Sequence, residues 1–394
     1  MTRRLLHFVE ESYGGAADYA HAQSNALADL GIEVHLLTTP NYPLRPDARY
    51  HRRPELLELR PAQPLPTRAQ RATRFAYVKL TNYRRLAACI RREGFQQVLI
   101  GSFGEYLAPV WSPWLCKLAR EGVVFGAVVH DPVRDYIVGP RWWHRWSVAA
   151  AYAPLREVFV HEATTLDTGG QAFVARVTVV PHGVYDYPAP ARSRSETRRA
   201  LGIPESATLF LAFGNIRDGK NLDLFLRALA QTRDDFPDAH LLVAGDVRSA
   251  GQKPVAYYQT LAAELGLAAR CRWRIGDIAP EETAELLTAA DVMVLTYARA
   301  FRSASGVLAL AAHYRVPCLA AGGDGPLRRA VADYGLGVWC APNDVNALVA
   351  GLKRWRATPP TPRWEDYRAD HSWAVNAQRV AERLFELQAE RFAE

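Results

Sequence analysis

Apolar and polar residues alternate along the chain in patterns that predict strands and helices in turn, most clearly over residues 209–246. An apolar run at 209–213 is typical of a buried strand. Beyond a polar loop, apolar residues recur at helical spacing from Leu222 to Leu229. A second apolar run at 241–244 completes a strand–helix–strand unit. Such a unit requires parallel strands joined by a right-handed crossover.

The same alternation continues through both halves of the chain. In the first half, strands are predicted at 4–9, 32–37, 98–101, 123–129, 157–161 and 177–180, with helices after the first strand and at 69–92. In the second half, strands are predicted at 209–213, 241–244, 273–276, 292–296 and 318–320, and helices near 221–235, 255–266, 281–289, 306–314 and 344–356. Strands alternating with helices indicate α/β domains whose parallel sheets are covered on both faces.

Two segments stand outside this alternation. Residues 186–200 are rich in Pro and Arg, which is the composition of a linker between domains. Residues 372–392 are predicted to form a long amphipathic helix at the end of the chain. With 394 residues the chain is too long for one compact core, so about two domains are expected.

Composition narrows the class of protein. An apolar content of 49% and a charged content of 23% are ordinary for a globular protein. The five cysteines are scattered and include no CxxC pair, so neither a disulfide framework nor a structural zinc site is indicated. The N-terminal apolar run is too short for a signal peptide, and no run reaches transmembrane length. We therefore expect a cytoplasmic protein.

Much of the net charge of +7 comes from one segment. Between residues 59 and 92 there is no acid, and there are nine cations: Arg60, Arg68, Arg71, Arg74, Lys79, Arg84, Arg85, Arg91 and Arg92. A basic amphipathic helix suits an anionic membrane surface or an acidic partner, and the alternative is a solvated helix face. We expect peripheral membrane contact through residues 60–92. Nucleic-acid binding is not expected, because no nucleic-acid module accompanies the patch.

The strongest candidate for chemistry is the polar loop at 215–220, which contains Arg217 and Lys220. It follows a predicted strand and precedes a helix, so it lies at the carboxyl ends of the strands, where parallel sheets bind their ligands. Backbone N–H groups at the start of a helix, together with two cations, suit a phosphate or diphosphate. The alternative is that both charges are simply solvated.

Three further features of the first half are candidates. Gly14 and Gly15 follow the first strand, but they do not form GxGxxG and no acid ends the second strand, so a nicotinamide or flavin enzyme is not expected. His130 follows another strand, where it could meet a substrate or be structural. The tryptophans within 140–151 indicate a packed helix, an acceptor platform or an interfacial belt.

Ordered landmarks of the chain resemble those of the large GT4-like ("group 1") family of GT-B glycosyltransferases. In the first half they are Gly14-Gly15, His130-Asp131 and residues 180–184. In the second half they are Phe213-Gly214 with Arg217 and Lys220, Ala244-Gly245-Asp246, Ile275-Gly276, Ala290-Asp291-Val292, residues 305–308, Val316-Pro317, Gly335-Leu336-Gly337 and Ser372-Trp373. The set keeps the family's order over nearly the whole chain.

The resemblance implies a GT-B fold, in which two Rossmann-like domains face each other across a cleft. The acceptor-binding domain would span 1–185, the linker 186–200 and the nucleotide-sugar-binding domain 201–371, and a helix at 372–394 would cross back to the first domain. A nucleoside-diphosphate sugar and a glycan or lipid-linked acceptor are the implied partners. Fixed cations and helix dipoles would neutralise the leaving diphosphate, so no cofactor is expected and Mg²⁺ is not indicated.

The resemblance also assigns roles to residues. Arg217 and Lys220 would clamp the diphosphate, and His130 would lie against the transferred sugar and polarise it. The backbone N–H groups of Ser305, Gly306 and Val307 would bind the same diphosphate. The remaining donor-binding residues implied are Gly14, Gly15, Gly214, Asn215, Asp277, Ile278 and Arg302.

Three positions depart from the family pattern. The family commonly has two glutamates eight positions apart, the first on the donor sugar and the second on the ribose, where this chain has Arg302 and Leu310. A different sugar, such as an anionic or deoxy sugar, and a differently held ribose are therefore expected. Asn215 stands where a basic residue often follows the glycine, and Arg217 would replace it.

The expected function is that of a retaining glycosyltransferase in surface polysaccharide, lipopolysaccharide or glycolipid synthesis. The missing glutamates leave two alternatives. One is a nucleotide-sugar epimerase or hydrolase, for which Asp131, Asp135 and Glu105 are the nearby carboxylates in the sequence. The other is a homologue that keeps the fold without catalysis.

Overall fold

The computed structural model describes residues 3–59, 66–130, 132, 137, 139–162, 166–170, 175–247 and 251–389, with the backbone alone at 386–389. The chain divides into two compact units. The first consists of Met1–His182 together with Ser372–Glu394, and the second of Gly183–His371.

The first unit is built on a sheet of seven parallel strands. These are β1 Arg4–Phe8, β2 Glu33–Leu37, β3 His51–Arg53, β4 Gln97–Ile100, β5 Val124–Val128, β6 Glu157–Val160 and β7 Arg176–Val179, in the order β3-β2-β1-β4-β5-β6-β7. Its helices are α1 Gly14–Asp29, α2 Arg68–Glu93, α3 Ala108–Arg120 and α4 Arg141–Tyr152. Strands β4, β5 and β6 are buried along their whole length, because helices cover both faces of the sheet.

The second unit contains a six-stranded parallel sheet. Its strands are β8 Thr208–Phe213, β9 Ala239–Gly245, β10 Cys271–Ile275, β11 Val292–Thr296, β12 Cys318–Ala321 and β13 Gly337–Cys340, in the order β10-β9-β8-β11-β12-β13. Its helices are α5 Arg194–Ala200, α6 Leu222–Gln231, α7 Val255–Glu264, α8 Pro280–Ala289, α9 Gly306–His313, α10 Pro326–Asp333, α11 Val345–Ala357 and α12 Trp364–Asp370. The predicted α/β class with two Rossmann-like domains is confirmed.

The last helix, α13 Trp373–Ala389, returns to the first unit and packs against α1. Its Asn376 is fully buried and accepts a hydrogen bond from Gln23 Nε2 at 2.8 Å. The same amide donates to the Tyr19 hydroxyl at 2.9 Å and to the Pro181 carbonyl at 2.7 Å. The predicted return of the terminal helix to the first domain is therefore confirmed.

Residues 186–200, predicted as a linker, contribute to the second unit instead. Helix α5 lies within this segment, and the Ser193 hydroxyl caps it. Arg198 on α5 is only 1% exposed, pairs with Asp291 Oδ2 at 2.6 Å and donates to the carbonyl of Ala207. The arginine-rich composition suggested an exposed linker, but Arg198 is buried and links α5 to the rest of the second unit.

Two strands were not predicted, and both lie at sheet edges. Strand β3 consists of His and Arg residues and lacks the apolar run of a central strand. Strand β13 is apolar, but it has only four residues and three of them are half-buried. In the part of the chain that the structure describes, no helix is both long and apolar enough to span a bilayer.

Candidate functional site

The switch point of the second sheet lies between β8 and β11, where the strand order reverses. Ligands of open parallel sheets bind beyond the carboxyl ends of the strands at such a point. The loop after β8 contains Arg217 and Lys220 and forms a short 3₁₀ turn at Asp218–Lys220. Asn221 has a φ of 50°, a left-handed conformation that redirects the chain into α6. Both predicted cations are therefore at the switch point.

Hydrogen bonds to neighbouring segments hold this loop in place. The Asp218 carboxylate accepts from the Lys253 N–H at 3.0 Å and from the Tyr258 hydroxyl at 3.1 Å. On the β11 side, the Ala298 N–H donates to the Gly219 carbonyl at 2.8 Å. The loop is thus fixed from two sides, as a site that binds charge without reorganising must be.

The ammonium of Lys220 lies deep in the loop. Its Nζ donates to the Phe213 carbonyl at 2.7 Å. Burial, followed by the positive charge of Arg217, lowers the pKa of the Lys220 ammonium to about 7. Arg217 itself is exposed. The free site therefore holds one permanent cation and one that titrates near neutrality, and a bound anion would favour its charged form.

Close backbone approach shapes the floor of the site. The residue after β8, Gly214, has a φ of 85° and donates to the Ala244 carbonyl at 2.8 Å. A Cβ on Gly245 would lie 2.1 Å from the Gly214 carbonyl oxygen, closer than any real contact. The landmark glycine at the end of β9 is therefore required sterically, because only glycine lets the two strand ends touch.

The start of α9 lies beside this floor. Ser305 caps the helix by accepting from the Leu308 N–H at 3.2 Å, and its Oγ is 3.0 Å from the Tyr297 hydroxyl. A Cβ on Gly214 would be 3.6 Å from Lys220 Nζ and 3.9 Å from a Val307 methyl. The structure thus brings together the loop cation, the glycine and the N-terminus of α9, a combination that favours an anion.

The other predicted donor residues lie around this centre. Asp277 and Ile278 follow β10, two strands away from β8, where Asp277 is exposed and Ile278 packs against the core of the unit. Arg302 is exposed in the segment between β11 and α9, and Asn215 is half-buried after Gly214. Leu310 is 4% exposed within the core, so that position offers no group to a ribose.

In the first unit, His130 follows β5 and is part of an aromatic cluster. His130 Nδ1 is 3.1 Å from Nε2 of His161, whose Nδ1 is 3.1 Å from the Val180 carbonyl oxygen. The ring of Tyr19 meets that of His130 edge-on at 4.7 Å. Burial, and then the charge of His182, lowers the pKa of His130 to about 3, so its imidazole is neutral at physiological pH.

The sequence did not single out His161 as a functional residue, and it treated His182 only as part of a motif. The sequence pattern could have identified them, since His130, His161 and His182 each follow the carboxyl end of a strand, and these strands (β5, β6 and β7) are adjacent in the sheet.

Over the described residues, no group of three or more His, Cys, Asp or Glu side chains is arranged to hold a metal ion.

The first turn of α1 contains both predicted glycines. Gly14 has a φ of 67°, and both Gly14 and Gly15 are exposed with open space where a Cβ would be. The side chain of the N-cap residue Tyr13 does not cap the helix.

An ion pair that the sequence did not predict fills the switch point of the first sheet, beside β1 and β4. Glu10 is 1% exposed, pairs with Lys79 and accepts from Asn82 Nδ2 at 3.0 Å. The sequence counted Lys79 as part of an exposed basic face, but it is buried against this glutamate. Of the carboxylates considered for an epimerase, Glu105 is buried, and Asp131 and Asp135 lie outside the described residues.

Comparison with known proteins follows the same division of the chain. Residues 193–370 match the family model described as "Glycosyl transferases group 1", and residues 13–186 match "Glycosyltransferase Family 4". A D-inositol 3-phosphate glycosyltransferase of Streptomyces scabiei is 31% identical over 218 residues, which cover 52% of this chain and 48% of that protein. The chain thus spans about half the length of the curated relatives it matches.

Two solved structures share the whole fold. Sucrose-phosphate synthase from Thermosynechococcus elongatus superposes with a TM-score of 0.69 at 20% identity, and Anabaena HepE in complex with UDP and glucose with 0.65 at 16%. Each comparison covers 99% of both chains. Because both halves match glycosyltransferase models and the fold is that of GT-B structures, the chain belongs to the GT4-like family of GT-B glycosyltransferases.

Proposed function

We propose that the protein is a retaining glycosyltransferase that moves a sugar from a nucleoside-diphosphate sugar to a glycan or lipid-linked acceptor. The observation that carries the proposal is the junction of the Arg217–Lys220 loop with the N-terminus of α9. Membership of the family supports it, and so does the complex of HepE with UDP and glucose.

The chemistry that this junction can perform is stabilisation of a leaving group. Cleavage of a bond between a sugar and a diphosphate develops negative charge on the diphosphate. The guanidinium of Arg217, the ammonium of Lys220 and the N–H groups at the start of α9 would each interact more strongly with that charge as it grows. In a retaining reaction the acceptor enters on the face from which the diphosphate leaves, so the same groups also hold the departing anion during attack.

His130 would contact the transferred sugar as a neutral hydrogen-bonding group, since burial keeps its pKa about 3. The donor would differ from those bound through a glutamate pair. Arg302 places an exposed cation where the sugar-binding acid is common, and Leu310 is buried in the core. A sugar with an anionic or missing substituent at that position, and a ribose bound through other groups, follow from these two residues.

Substitution of the two loop cations tests this function. We expect Arg217→Ala and Lys220→Ala each to raise the barrier to transfer or donor hydrolysis by about 2–4 kcal/mol, because each removes one charged partner of the leaving group. That corresponds to a loss in rate of roughly thirtyfold to several hundredfold. Initial rates with a panel of nucleotide sugars provide the measurement.

Arg227→Ala is the matched control, since Arg227 is an exposed cation on α6 in the same unit. Its rate should equal that of the wild type. Unchanged turnover in both loop variants would contradict the proposal. Interconversion of sugars without an acceptor would indicate an epimerase, and a lack of thermal stabilisation by every nucleotide would indicate a non-catalytic homologue. A bound nucleotide at about a hundred times its Kd should add about 2.7 kcal/mol.

We further propose that the first unit contacts an anionic membrane surface during synthesis of surface polysaccharide, lipopolysaccharide or glycolipid. Trp142 and Trp146 on α4 are 66% and 53% exposed, next to the exposed Arg141. Exposed tryptophans beside cations are typical of a membrane interface. On α2 the exposed Arg68 adds charge, whereas Arg92 pairs with Glu55 and Glu93, so the basic surface is smaller than residues 60–92 suggest.

A further inference from the structure

Three histidines of the first unit form a row across neighbouring strands. His130, His161 and His182 follow β5, β6 and β7, which are adjacent in the sheet. The Tyr19 ring contacts all three imidazoles, with ring centroids 4.7, 5.4 and 5.3 Å away. Only the first of the three is assigned a role by the proposed function. The hydrogen bonds among them determine what that histidine can offer a ligand.

These hydrogen bonds determine where the imidazole protons lie. A backbone carbonyl can only accept, so His161 Nδ1, 3.1 Å from the Val180 oxygen, carries a hydrogen. His161 Nε2 and His130 Nδ1 are 3.1 Å apart, so one of these two nitrogens carries the hydrogen that they share. Burial lowers the pKa of His130, so its ring is neutral; with a lone pair on His161 Nε2, the single proton of His130 is on Nδ1 and its Nε2 is an acceptor.

The carbonyl that begins this chain of hydrogen bonds is itself held firmly. The Val180 N–H donates to the Val160 carbonyl at 2.8 Å, which fixes the peptide after β7. The next carbonyl, of Pro181, accepts from Asn376 of α13 at 2.7 Å. Asn376 also donates to the hydroxyl of Tyr19, the ring that packs against His130. These contacts hold the Val180 carbonyl beside His161 and the Tyr19 ring against His130.

We propose that His161 is a positioning residue that holds His130 in its Nδ1–H tautomer, so that His130 Nε2 accepts a hydrogen bond from a hydroxyl of the bound sugar. This rests on the proposed function, in which His130 meets the transferred sugar. A hydroxyl can donate to an unprotonated nitrogen, whereas a carboxylate or carbonyl oxygen cannot. Sugars that place a hydroxyl against His130 Nε2 are therefore preferred, and an anionic group of the donor must be bound away from this nitrogen.

The first test observes the tautomer directly in the whole 394-residue chain. Nitrogen-15 NMR of histidine-labelled protein distinguishes Nδ1–H from Nε2–H rings, and the His130 signals are identified by their loss in His130→Gln. We expect the wild type to show His130 as Nδ1–H. His161→Gln, whose side-chain oxygen can still accept near the position of Nε2, should keep this tautomer, and His161→Leu should shift it towards Nε2–H.

The second test compares transfer rates. Loss of a partner that fixes a histidine tautomer lowers activity about ten- to a hundredfold in metal sites, and we expect a kcat decrease of that order for His161→Leu, with largely restored turnover for His161→Gln. Two results would overturn the proposal: an Nε2–H ring for His130 in the wild type, or an unchanged tautomer in folded His161→Leu. If the tautomers are as expected but no nucleotide sugar is turned over by the wild type, the positioning role is supported and the proposed function fails.

Discussion

Among single residues, Lys220 combines burial with a nearby positive charge in the proposed donor site. In the free protein its ammonium has a pKa of about 7, because it is buried and lies near Arg217. A diphosphate bound beside it would stabilise the charged form and raise that pKa. Binding above pH 7 therefore requires uptake of a proton, and affinity should fall as pH rises through that range.

Titration calorimetry with UDP or GDP in two buffers of different ionisation enthalpy measures this proton uptake. We expect the apparent binding enthalpies to differ between the buffers for the wild type. Lys220→Arg is the control, since a guanidinium stays charged and should bind the nucleotide without taking up a proton. Equal enthalpies in both buffers for the wild type, with measurable binding, would show that Lys220 is already charged.

At this scale the sequence revealed the cations but not their surroundings. The loop of Arg217 and Lys220 was recognisable because a polar loop between an apolar strand and an amphipathic helix is a local pattern. The contacts of His161 with His130, and of Lys79 with Glu10, join residues far apart in the chain. Spacing along the sequence gives no information on such pairs, and Lys79 was therefore misjudged as part of an exposed face.

Among the elements, α5 shows how composition can mislead. Its segment is rich in arginine and proline, and local composition does not distinguish a solvated arginine from a buried one. The Arg198 side chain crosses from α5 to Ala289, at the end of α8, and to Asp291, which immediately precedes β11. The central strands were predicted correctly because each is an apolar run, and α5 has no such pattern. Helices α3 and α10 were not predicted.

Replacing Arg198 should therefore destabilise the second unit. We expect Arg198→Met, which keeps much of the buried volume, to lower the free energy of unfolding by about 1–3 kcal/mol, since buried carbonyls lose their donor and Asp291 loses one of its partners. Urea unfolding monitored by circular dichroism measures the change. Arg199→Met is the matched control on the exposed side of the same helix, where a change within about 0.5 kcal/mol is expected. Equal stability of the two variants would mean that the buried contacts of Arg198 do not stabilise the second unit in solution.

On the scale of the whole molecule, the two units share one architecture but differ at their switch points. In the first unit the switch point is filled by the ion pair of Glu10 and Lys79, which neutralise each other. In the second unit it is lined by Lys220, Arg217 and the start of α9, with no acid of the same loop paired to either cation in the described contacts. In the proposed function the second unit would therefore bind the diphosphate, and the first would contact the sugar and the acceptor.

Attraction to an anionic bilayer is the property of the whole molecule that can be tested most directly. Helix α3 packs between α2 and α4, so the exposed Arg68 and Arg141 belong to the same helical layer as Trp142. We expect co-sedimentation with phosphatidylglycerol vesicles but not with phosphatidylcholine vesicles, weakening as salt is added. Arg68→Gln and Arg141→Gln should each weaken binding by about 1 kcal/mol, while Arg227→Gln in the second unit should have no effect. Equal binding of all three variants, or equal binding to both lipids, would exclude an electrostatic membrane contact through this layer.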